Sequence, residues 1–144
     1  MKIKIKKLRD DAIIPAASSK DAAGYDLYAC LDAPVKIVPH RTVKISTGLT
    51  AAIPEGYFGA VFARSGIASK FGIRPANCVG VVDSDYRGEY TVALHNDSDE
   101  EYTVCHGDRI AQLVIMPCLK VEFEEADELD ETDRGAGGFG STGK

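Results

Sequence analysis

The chain has 144 residues, of which 44% are hydrophobic, and this is enough for one domain with a packed core. Its net charge of -5 and sequence pI of about 5.2 exclude a general nucleic-acid binder with a broad basic face. No apolar run approaches the ~20 residues of a membrane span. The lysine-rich N-terminus lacks the apolar segment of a secretory signal. We therefore expect no nucleic-acid or membrane partner.

The cysteine pattern predicts the compartment. The four cysteines have none of the short spacings of zinc or redox motifs, and they lie in apolar runs: Cys30, Cys78, Cys105 and Cys118. Free cysteine in such runs behaves as a small hydrophobe. We predict that all four are reduced core residues of a cytoplasmic protein.

Short alternating or β-branched segments recur between Gly, Pro and Asp turns along the whole chain, a pattern typical of an all-β sandwich or barrel. Strands are predicted within 2–6, 22–29, 35–38, 42–46, 50–53, 57–63, 80–82, 89–94, 100–105, 109–116 and 120–124. Only Ser65 to Phe71 reads as a helical turn. We expect a single domain over 1–125, followed by an acidic and then glycine-rich arm over 126–144 that cannot form a core of its own.

The stretch GVVDSDYRGEY, residues 80–90, concentrates reactive side chains. Apolar residues run into an Asp/Ser/Asp turn and a second β-prone segment, which predicts a β-hairpin. Asp83 follows two valines at the edge of the core, where partial desolvation raises the basicity of a carboxylate, so Asp83 is the best candidate general base. A solvated turn without chemistry is the alternative.

Three segments offer groups that bind phosphate. Arg64, Ser65 and Gly66 stand at a strand-to-helix junction and supply a guanidinium, a hydroxyl and backbone N–H groups. Arg109 and Gln112 lie three apart on one strand, so their side chains should face opposite ways, and Gln112 is favoured for the site.

The glycine-rich tail is the third segment. It offers Arg134, Ser141 and Thr142, and Phe139 between glycines suits stacking on a flat ligand. Residues 138–144 also match a P-loop up to its lysine. No strand precedes them, however, and no helix can follow, so we reject a P-loop.

Other chemistries have weaker support. Asp26 interrupts an apolar strand and needs a partner, and we favour a structural acceptor of backbone N–H groups. Ser65 makes a poor nucleophile, because the histidines show no triad spacing: His40, His95 and His106. No His/Cys set for zinc is visible.

Five segments in order resemble the five motifs of the homotrimeric deoxyuridine triphosphatases, the dUTPases. They are AAGYDLYA (22–29), ARSGIA (63–68), NCVGVVDSDYRGE (77–89), GDRIAQLV (107–114) and RGAGGFGSTG (134–143). One departure is Ala63, where the family usually has proline before the arginine.

The resemblance implies a distorted all-β jelly roll, or β-clip barrel, with one short helix, assembled as a homotrimer. Each active site would lie between subunits and be closed by the C-terminal arm of another subunit. The reaction would convert dUTP to dUMP and pyrophosphate, which supplies dUMP for dTMP synthesis and keeps uracil out of DNA. Mg²⁺ would be held by the triphosphate and water, without direct protein ligands.

The resemblance also assigns roles. Asp83 would activate the water that attacks the α-phosphorus, Tyr86 would exclude a 2′-hydroxyl, and Asp26 would order the site. Substrate-binding residues would be Arg64, Ser65, Gly66, Asn77, Val82, Gln112, Arg134, Phe139, Gly140, Ser141 and Thr142. Among these, Asn77 reads the uracil edge, Phe139 stacks on the uracil and Arg134 contacts the γ-phosphate.

Two alternatives stay open. One is a dCTP deaminase on the same fold, which would need a different acid–base set near Asp83. The other is a non-catalytic nucleotide-binding module with vestigial motifs, and the intact tail with Arg134 and Phe139 speaks against it.

Overall fold

A computed structural model describes residues 1–138. Twelve strands and one helix follow one another along this part of the chain. The strands are β1 (Lys4–Lys7), β2 (Ala16–Ala17), β3 (Tyr25–Tyr28), β4 (Val35–Ile37), β5 (Thr42–Ser46), β6 (Leu49–Ala52), β7 (Tyr57–Phe62), β8 (Ile73–Pro75), β9 (Gly80–Val82), β10 (Thr91–Asn96), β11 (Tyr102–Val104) and β12 (Arg109–Pro117). The helix α1 (Ser65–Phe71) lies between β7 and β8. The expectation of a mostly β fold with one short helix is confirmed.

The strands form four small antiparallel sheets. The largest has the order β2-β3-β12-β7-β9, and a second has the order β5-β10-β8. Two-stranded pairs β1-β6 and β11-β4 complete the described part. These sheets do not close into a barrel within residues 1–138. The predicted all-β fold of jelly-roll type is confirmed.

The core lies between the two larger sheets. Leu27 from β3, Ile45 from β5 and Leu94 from β10 are fully buried, together with Ile37 and Ile73. Alternation explains this, because every second residue of a strand faces the same side. The two sheets therefore hold their connecting loops in fixed places, and these loops carry the candidate site.

The helix has the bounds that the sequence predicts, Ser65–Phe71. It ends because Gly72 adopts a left-handed conformation with φ 67, and the Gly72 N–H bonds to the carbonyl of Ala68 at 3.0 Å. Within residues 1–138 no helix combines the length and apolar character that crossing a membrane requires.

The predicted β-hairpin at residues 80–90 is wrong. Strand β9 pairs with β7, whereas β10 pairs with β5 and β8, so the two flanking strands lie in different sheets. Residues 83–90 therefore form a connection between sheets, called here the 83–90 loop. Local sequence marks the turn but does not specify which neighbour each strand pairs with.

The predicted strand at 120–124 is also absent, although its apolar residues alternate as expected. Leu119, Val121 and Phe123 are 88%, 69% and 93% exposed. A strand needs a neighbour for its backbone groups, and the part of the chain that the structure describes offers none to this segment. Conversely, the short strands β2 and β8 were not predicted.

The prediction that the cysteines are buried in the core is right in one case of four. Cys30 is buried, whereas Cys78, Cys105 and Cys118 are exposed, and all four are free thiols. Apolar neighbours in sequence do not guarantee burial, because neighbours on a strand point to opposite faces.

Candidate active site

The 83–90 loop closes one side of a cavity of about 230 Å³, called here the loop cavity. Strand β9 and the start of β10 form its other walls. The side chains predicted to read a base and activate water line it together: Asn77, Val82, Asp83 and Tyr86. The structure therefore brings together four of the residues to which the family resemblance assigns roles.

Main-chain carbonyls shape the tip of the loop. The Tyr86 N–H donates to the carbonyl of Asp83 at 3.2 Å, which makes a tight turn. Arg87 Nη1 donates to the carbonyls of Ser84 and Tyr86 at 2.7 and 2.8 Å. The Arg87 guanidinium therefore holds the turn, and charge-assisted bonds of this kind are stronger than neutral ones.

The side chain of Tyr86 packs against later residues of the 83–90 loop. Its hydroxyl donates to the carbonyl of Glu89 at 3.1 Å, and its ring stacks on that of Tyr90 with centroids 6.3 Å apart. A Cβ at Gly88 would lie 2.3 Å from the Tyr86 hydroxyl oxygen, so only glycine permits this ring position. The Tyr90 hydroxyl, whose pKa is raised by burial, is the one buried side-chain polar atom without a partner in residues 1–138.

Asp83 itself is exposed in the single chain. The predicted burial at the core edge is therefore absent: Val82 is half-buried against the core, but Val81, two residues before Asp83, is 64% exposed. Any desolvation of the Asp83 carboxylate must come from a ligand or another subunit. Asn77, the residue expected at the uracil edge, is likewise exposed at the rim of the cavity.

A second cavity of about 340 Å³, called here the arginine cavity, lies between β3, β12 and the start of α1. Arg64, Ser65, Gly66 and Gln112 line it, as predicted for the phosphate-binding group, and so does Asp26. The two cavities have no lining residue in common. Within residues 1–138, the residues predicted to bind phosphate therefore line a different cavity from Asp83.

Asp26 is the charged centre of the arginine cavity. It is only 8% exposed, and its two oxygens accept from Arg64 Nε at 2.7 Å and Arg109 Nη1 at 3.4 Å. Its partners are thus guanidinium groups and not the backbone N–H groups that we expected. Burial makes such a carboxylate costly unless it is paired, and Asp26 in turn keeps two cations close together.

The prediction that Arg109 and Gln112 face opposite ways is wrong. The register of β12 against β3 shifts between Arg109 and Ala111, which adds a residue and reverses the alternation. Arg109 therefore reaches Asp26, while Gln112 lies in the same cavity. Sequence reasoning favoured Gln112 over Arg109 for this site, because no sequence signal marks the bulge.

Gln112 is held by the chain on two sides. Its Nε2 donates to the carbonyl of Ala63 at 2.9 Å, and a Cβ at Gly24 would meet its Oε1 at 2.3 Å. The Ala63 carbonyl would also be present in a proline, so this departure from the family pattern keeps the contact. A Cβ at Gly66, in contrast, would meet no atom within 4 Å. Packing within the chain does not explain the glycine at position 66.

Only the first part of the tail can be placed. Arg134 is exposed, and its Nε donates to the carbonyl of Gly137 at 2.9 Å. The remaining predicted tail contacts, Phe139, Gly140, Ser141 and Thr142, lie outside the described residues.

One group of possible metal ligands was not visible in the sequence. Ligand atoms of Asp11, Cys30 and His106 lie within 4.8 Å of one another. Arg9, however, bonds both oxygens of Asp11 at 3.0 and 2.8 Å and holds the pKa of that carboxyl at about 2. The Leu31 N–H donates to Nδ1 of His106 at 3.2 Å. These ligand atoms are thus already engaged.

The Asp11 cluster lines neither cavity, and none of the three histidines does so. Ser65 accordingly has no histidine beside it in the arginine cavity, which agrees with the weak case for Ser65 as a nucleophile. Two carboxylates line the loop cavity: Asp83 is exposed, whereas Glu89 is half-buried and accepts hydrogen bonds from Ser46 and Gly48.

Comparison with known proteins defines the class of this fold and site. A family model described as dUTPase matches residues 10–143. A deoxyuridine 5'-triphosphate nucleotidohydrolase of Desulfitobacterium hafniense is 53% identical over 99% of this chain and 97% of its own, and one of Nautilia profundicola is 49% identical over the whole of both chains. The chain belongs to the dUTPase family.

Solved structures agree. The dUTPase of Staphylococcus bacteriophage 80alpha, solved with dUPNHPP, superposes with a TM-score of 0.91 at 29% identity and covers 99% of both chains. The dUTPase of the S. aureus phage phi11 superposes with a TM-score of 0.82 at 26% identity, over 92% of this chain and 100% of its own. The distribution of strands described above is therefore that of known dUTPases.

Proposed function

We propose that this protein is a dUTP diphosphatase, which hydrolyses dUTP to dUMP and pyrophosphate. One observation carries the proposal: Asn77, Val82, Asp83 and Tyr86 line a single cavity in a chain of the dUTPase family. In the cell this activity would supply dUMP for dTMP synthesis and keep uracil out of DNA.

Asp83 acts as the general base. Its exposed carboxylate accepts a proton from a water molecule while the water oxygen attacks the α-phosphorus. The bond from the α-phosphorus to the bridging oxygen breaks, and pyrophosphate leaves with the bonding electrons. The proton remains on Asp83 until solvent removes it.

The loop cavity selects the nucleoside. Asn77 and the backbone near Val82 bind the uracil edge, where fixed backbone polarity discriminates against cytosine. The tight wall of the cavity leaves no room for a thymine methyl group. Tyr86 lies under the deoxyribose and crowds a 2′-hydroxyl, and Gly88 fixes its ring in that place.

The arginine cavity binds the phosphates. Arg64 supplies charge, Ser65 and Gln112 supply polar contacts, and Gly66 leaves open space for close approach. Arg109 shares Asp26 with Arg64 and adds positive charge at the same place. Positioning and charge neutralisation of this kind are most of what phosphoryl transfer requires.

The complete site would form between subunits of a homotrimer. Two observations support this: the two cavities share no lining residue, and Leu119, Val121 and Phe123 expose apolar surface that a second subunit would cover. The arm of another subunit would bring Arg134 to the γ-phosphate, Phe139 to the uracil face, and Gly140, Ser141 and Thr142 to the phosphates.

Mg²⁺ suits this arrangement as a metal carried by the substrate. Asp26 is committed to two arginines, so the arginine cavity offers no free carboxylate among the described residues. The triphosphate and water would hold the ion, as is common for Mg²⁺. When bound, it would neutralise charge on the phosphate oxygens. The four free thiols suit a reducing compartment, and we propose a cytoplasmic location.

The decisive experiment measures pyrophosphate release from dUTP, dTTP, dCTP and UTP, with and without Mg²⁺. We expect release from dUTP alone and a strong dependence on the metal. Ammonia release from dCTP would instead support a deaminase. Binding of dUTP without any turnover would support a non-catalytic module.

A further inference from the structure

The 83–90 loop is anchored at its end by a half-buried carboxylate. Glu89 Oε1 accepts a hydrogen bond from the Gly48 N–H at 2.8 Å and another from the hydroxyl of Ser46. Both donors lie at the connection between β5 and β6. The side chain of Glu89 therefore fastens the loop to a different part of the fold.

That connection is itself firmly placed. Gly48 has φ 65, and a Cβ there would lie 2.9 Å from Cβ of Ala12 and from Sγ of Cys30, both of which are buried. The next residue of the loop, Tyr90, donates its N–H to the carbonyl of Leu49 at 2.8 Å. The partner of the Glu89 carboxylate is thus a turn packed against buried residues, with little freedom to move.

The backbone of Glu89 faces the other way, towards the loop cavity. Its carbonyl accepts the hydroxyl of Tyr86 at 3.1 Å, and the Tyr86 ring stacks on Tyr90. Glu89 therefore joins the Tyr86 ring to the β5–β6 connection. Its carbonyl accepts from the Tyr86 hydroxyl, and its carboxylate accepts from the Gly48 N–H. A shift of Glu89 would move the Tyr86 ring.

We infer that Glu89 is a positioning residue: it fixes the position of the Tyr86 ring in the loop cavity, and the position of that ring determines how strongly ribonucleotides are rejected. The inference rests on the proposed function, in which that ring lies under the deoxyribose. Glu89 acts through Tyr86 and not on the reacting atoms.

The test compares selectivity in folded variants. The measurement is kcat/KM for dUTP divided by kcat/KM for UTP, with folding checked by thermal unfolding. Rejection of an added hydroxyl by shape alone is worth about 10²-fold, and we expect Glu89→Ala to lower the ratio by about tenfold by the same argument. Glu89→Gln should restore it, because an amide oxygen in the place of Oε1 still accepts from both Gly48 and Ser46. Glu101→Ala, at an exposed glutamate paired with Lys36, is the matched control.

A double-mutant cycle separates positioning from general stability. In a Tyr86→Phe background the hydroxyl link to Glu89 is already lost, so Glu89→Ala should change the ratio by no more than about twofold. A merely structural role would lower turnover of dUTP and UTP equally and leave the ratio unchanged in both backgrounds.

Each outcome supports or overturns the role of Glu89. A folded Glu89→Ala variant with wild-type selectivity overturns the inference. If that variant does not fold, Ser46→Ala, which removes one of the two donors, must lower the ratio, and unchanged selectivity there overturns it equally. Wild-type protein that fails to hydrolyse dUTP rejects the proposed function, whereas a selective wild type with indifferent Glu89 variants rejects the role of Glu89 alone.

Discussion

The loop cavity and the arginine cavity are held in shape by different interactions. In the proposed function they also bind different parts of the substrate. The loop cavity is shaped by hydrogen bonds to main-chain carbonyls, such as those that fix Tyr86 and Arg87. The arginine cavity is organised by ion pairs around the buried carboxylate of Asp26. A nucleobase is recognised by shape and hydrogen-bond polarity, and the backbone provides both because it has no rotamer freedom. Phosphates, in contrast, are bound by opposite charge.

The difference has a consequence for the unliganded protein. The guanidinium groups of Arg64 and Arg109 repel each other, so they need a counter-charge while no anion is bound. Asp26 supplies that charge to both arginines, so in the proposed function the arginine cavity would be organised for phosphates before substrate binds. The loop cavity has no such pair of arginines among its lining residues, and Asp83, the proposed general base, is exposed.

The largest expected effect comes from the reactive carboxylate of the loop cavity. Asp83→Asn keeps the size of the side chain and removes its basicity, so kcat should fall by about 10²- to 10⁴-fold. Binding of a non-hydrolysable dUTP analogue, measured by calorimetry, should change little. Asp85→Asn, two residues away in the same loop, is the control and should keep most of its turnover. Unchanged turnover of Asp83→Asn would mean that another group is the base.

Removal of the arm should have the next largest effect. Deletion of 134–144 takes away the groups proposed to cover both cavities, so we expect a folded protein with almost no dUTP hydrolysis. Pyrophosphate release and light scattering of the truncated protein check activity and assembly together. A variant that ends at residue 138, and so keeps Arg134 but lacks 139–144, is the control with a smaller deletion. Full activity of the shorter chain would disprove closure by the arm.

The sequence predicted local features of this site better than long-range ones. The helix at 65–71 and the residues of both cavities follow from motifs, because turn and helix signals are local. The pairing of β9, the bulge that brings Arg109 to Asp26, and the exposure of residues 119–123 depend on which distant strand lies alongside. The same limit explains why Asp11, Cys30 and His106 were not recognised as neighbours.

The ion pairs of the arginine cavity can be broken directly. Asp26→Asn leaves Arg64 and Arg109 without a counter-charge, so the free energy of unfolding should fall by about 1–3 kcal/mol. The KM for dUTP should rise by about tenfold, equal to about 1.4 kcal/mol of binding. Denaturant unfolding and steady-state kinetics check both. Asp32→Asn removes an exposed partner of Arg9 and should change neither; equal effects of the two variants would contradict the special role of Asp26.

Two glycines of the arginine cavity separate ligand space from internal packing. Gly66→Ala adds a methyl group that meets no atom of residues 1–138 within 4 Å, so stability should stay equal or rise by up to about 1 kcal/mol. If phosphates approach this backbone, KM should still rise by about tenfold or more. Gly24→Ala, whose Cβ would collide with Gln112, should lower both stability and activity. A wild-type KM for Gly66→Ala would remove Gly66 from the phosphate site.

The smallest expected effect concerns the unpartnered hydroxyl below the Tyr86 ring. Tyr90→Phe removes a buried polar atom that has no hydrogen bond, so the free energy of unfolding should rise by about 1 kcal/mol. Turnover of dUTP should not change, because the stacked ring and the backbone bond to Leu49 both remain. Tyr25→Phe, at a tyrosine that is 41% exposed, is the control and should leave stability as it is. A loss of activity in Tyr90→Phe would instead place the hydroxyl in contact with substrate, and the loop cavity would then use a side chain as well as its backbone for recognition.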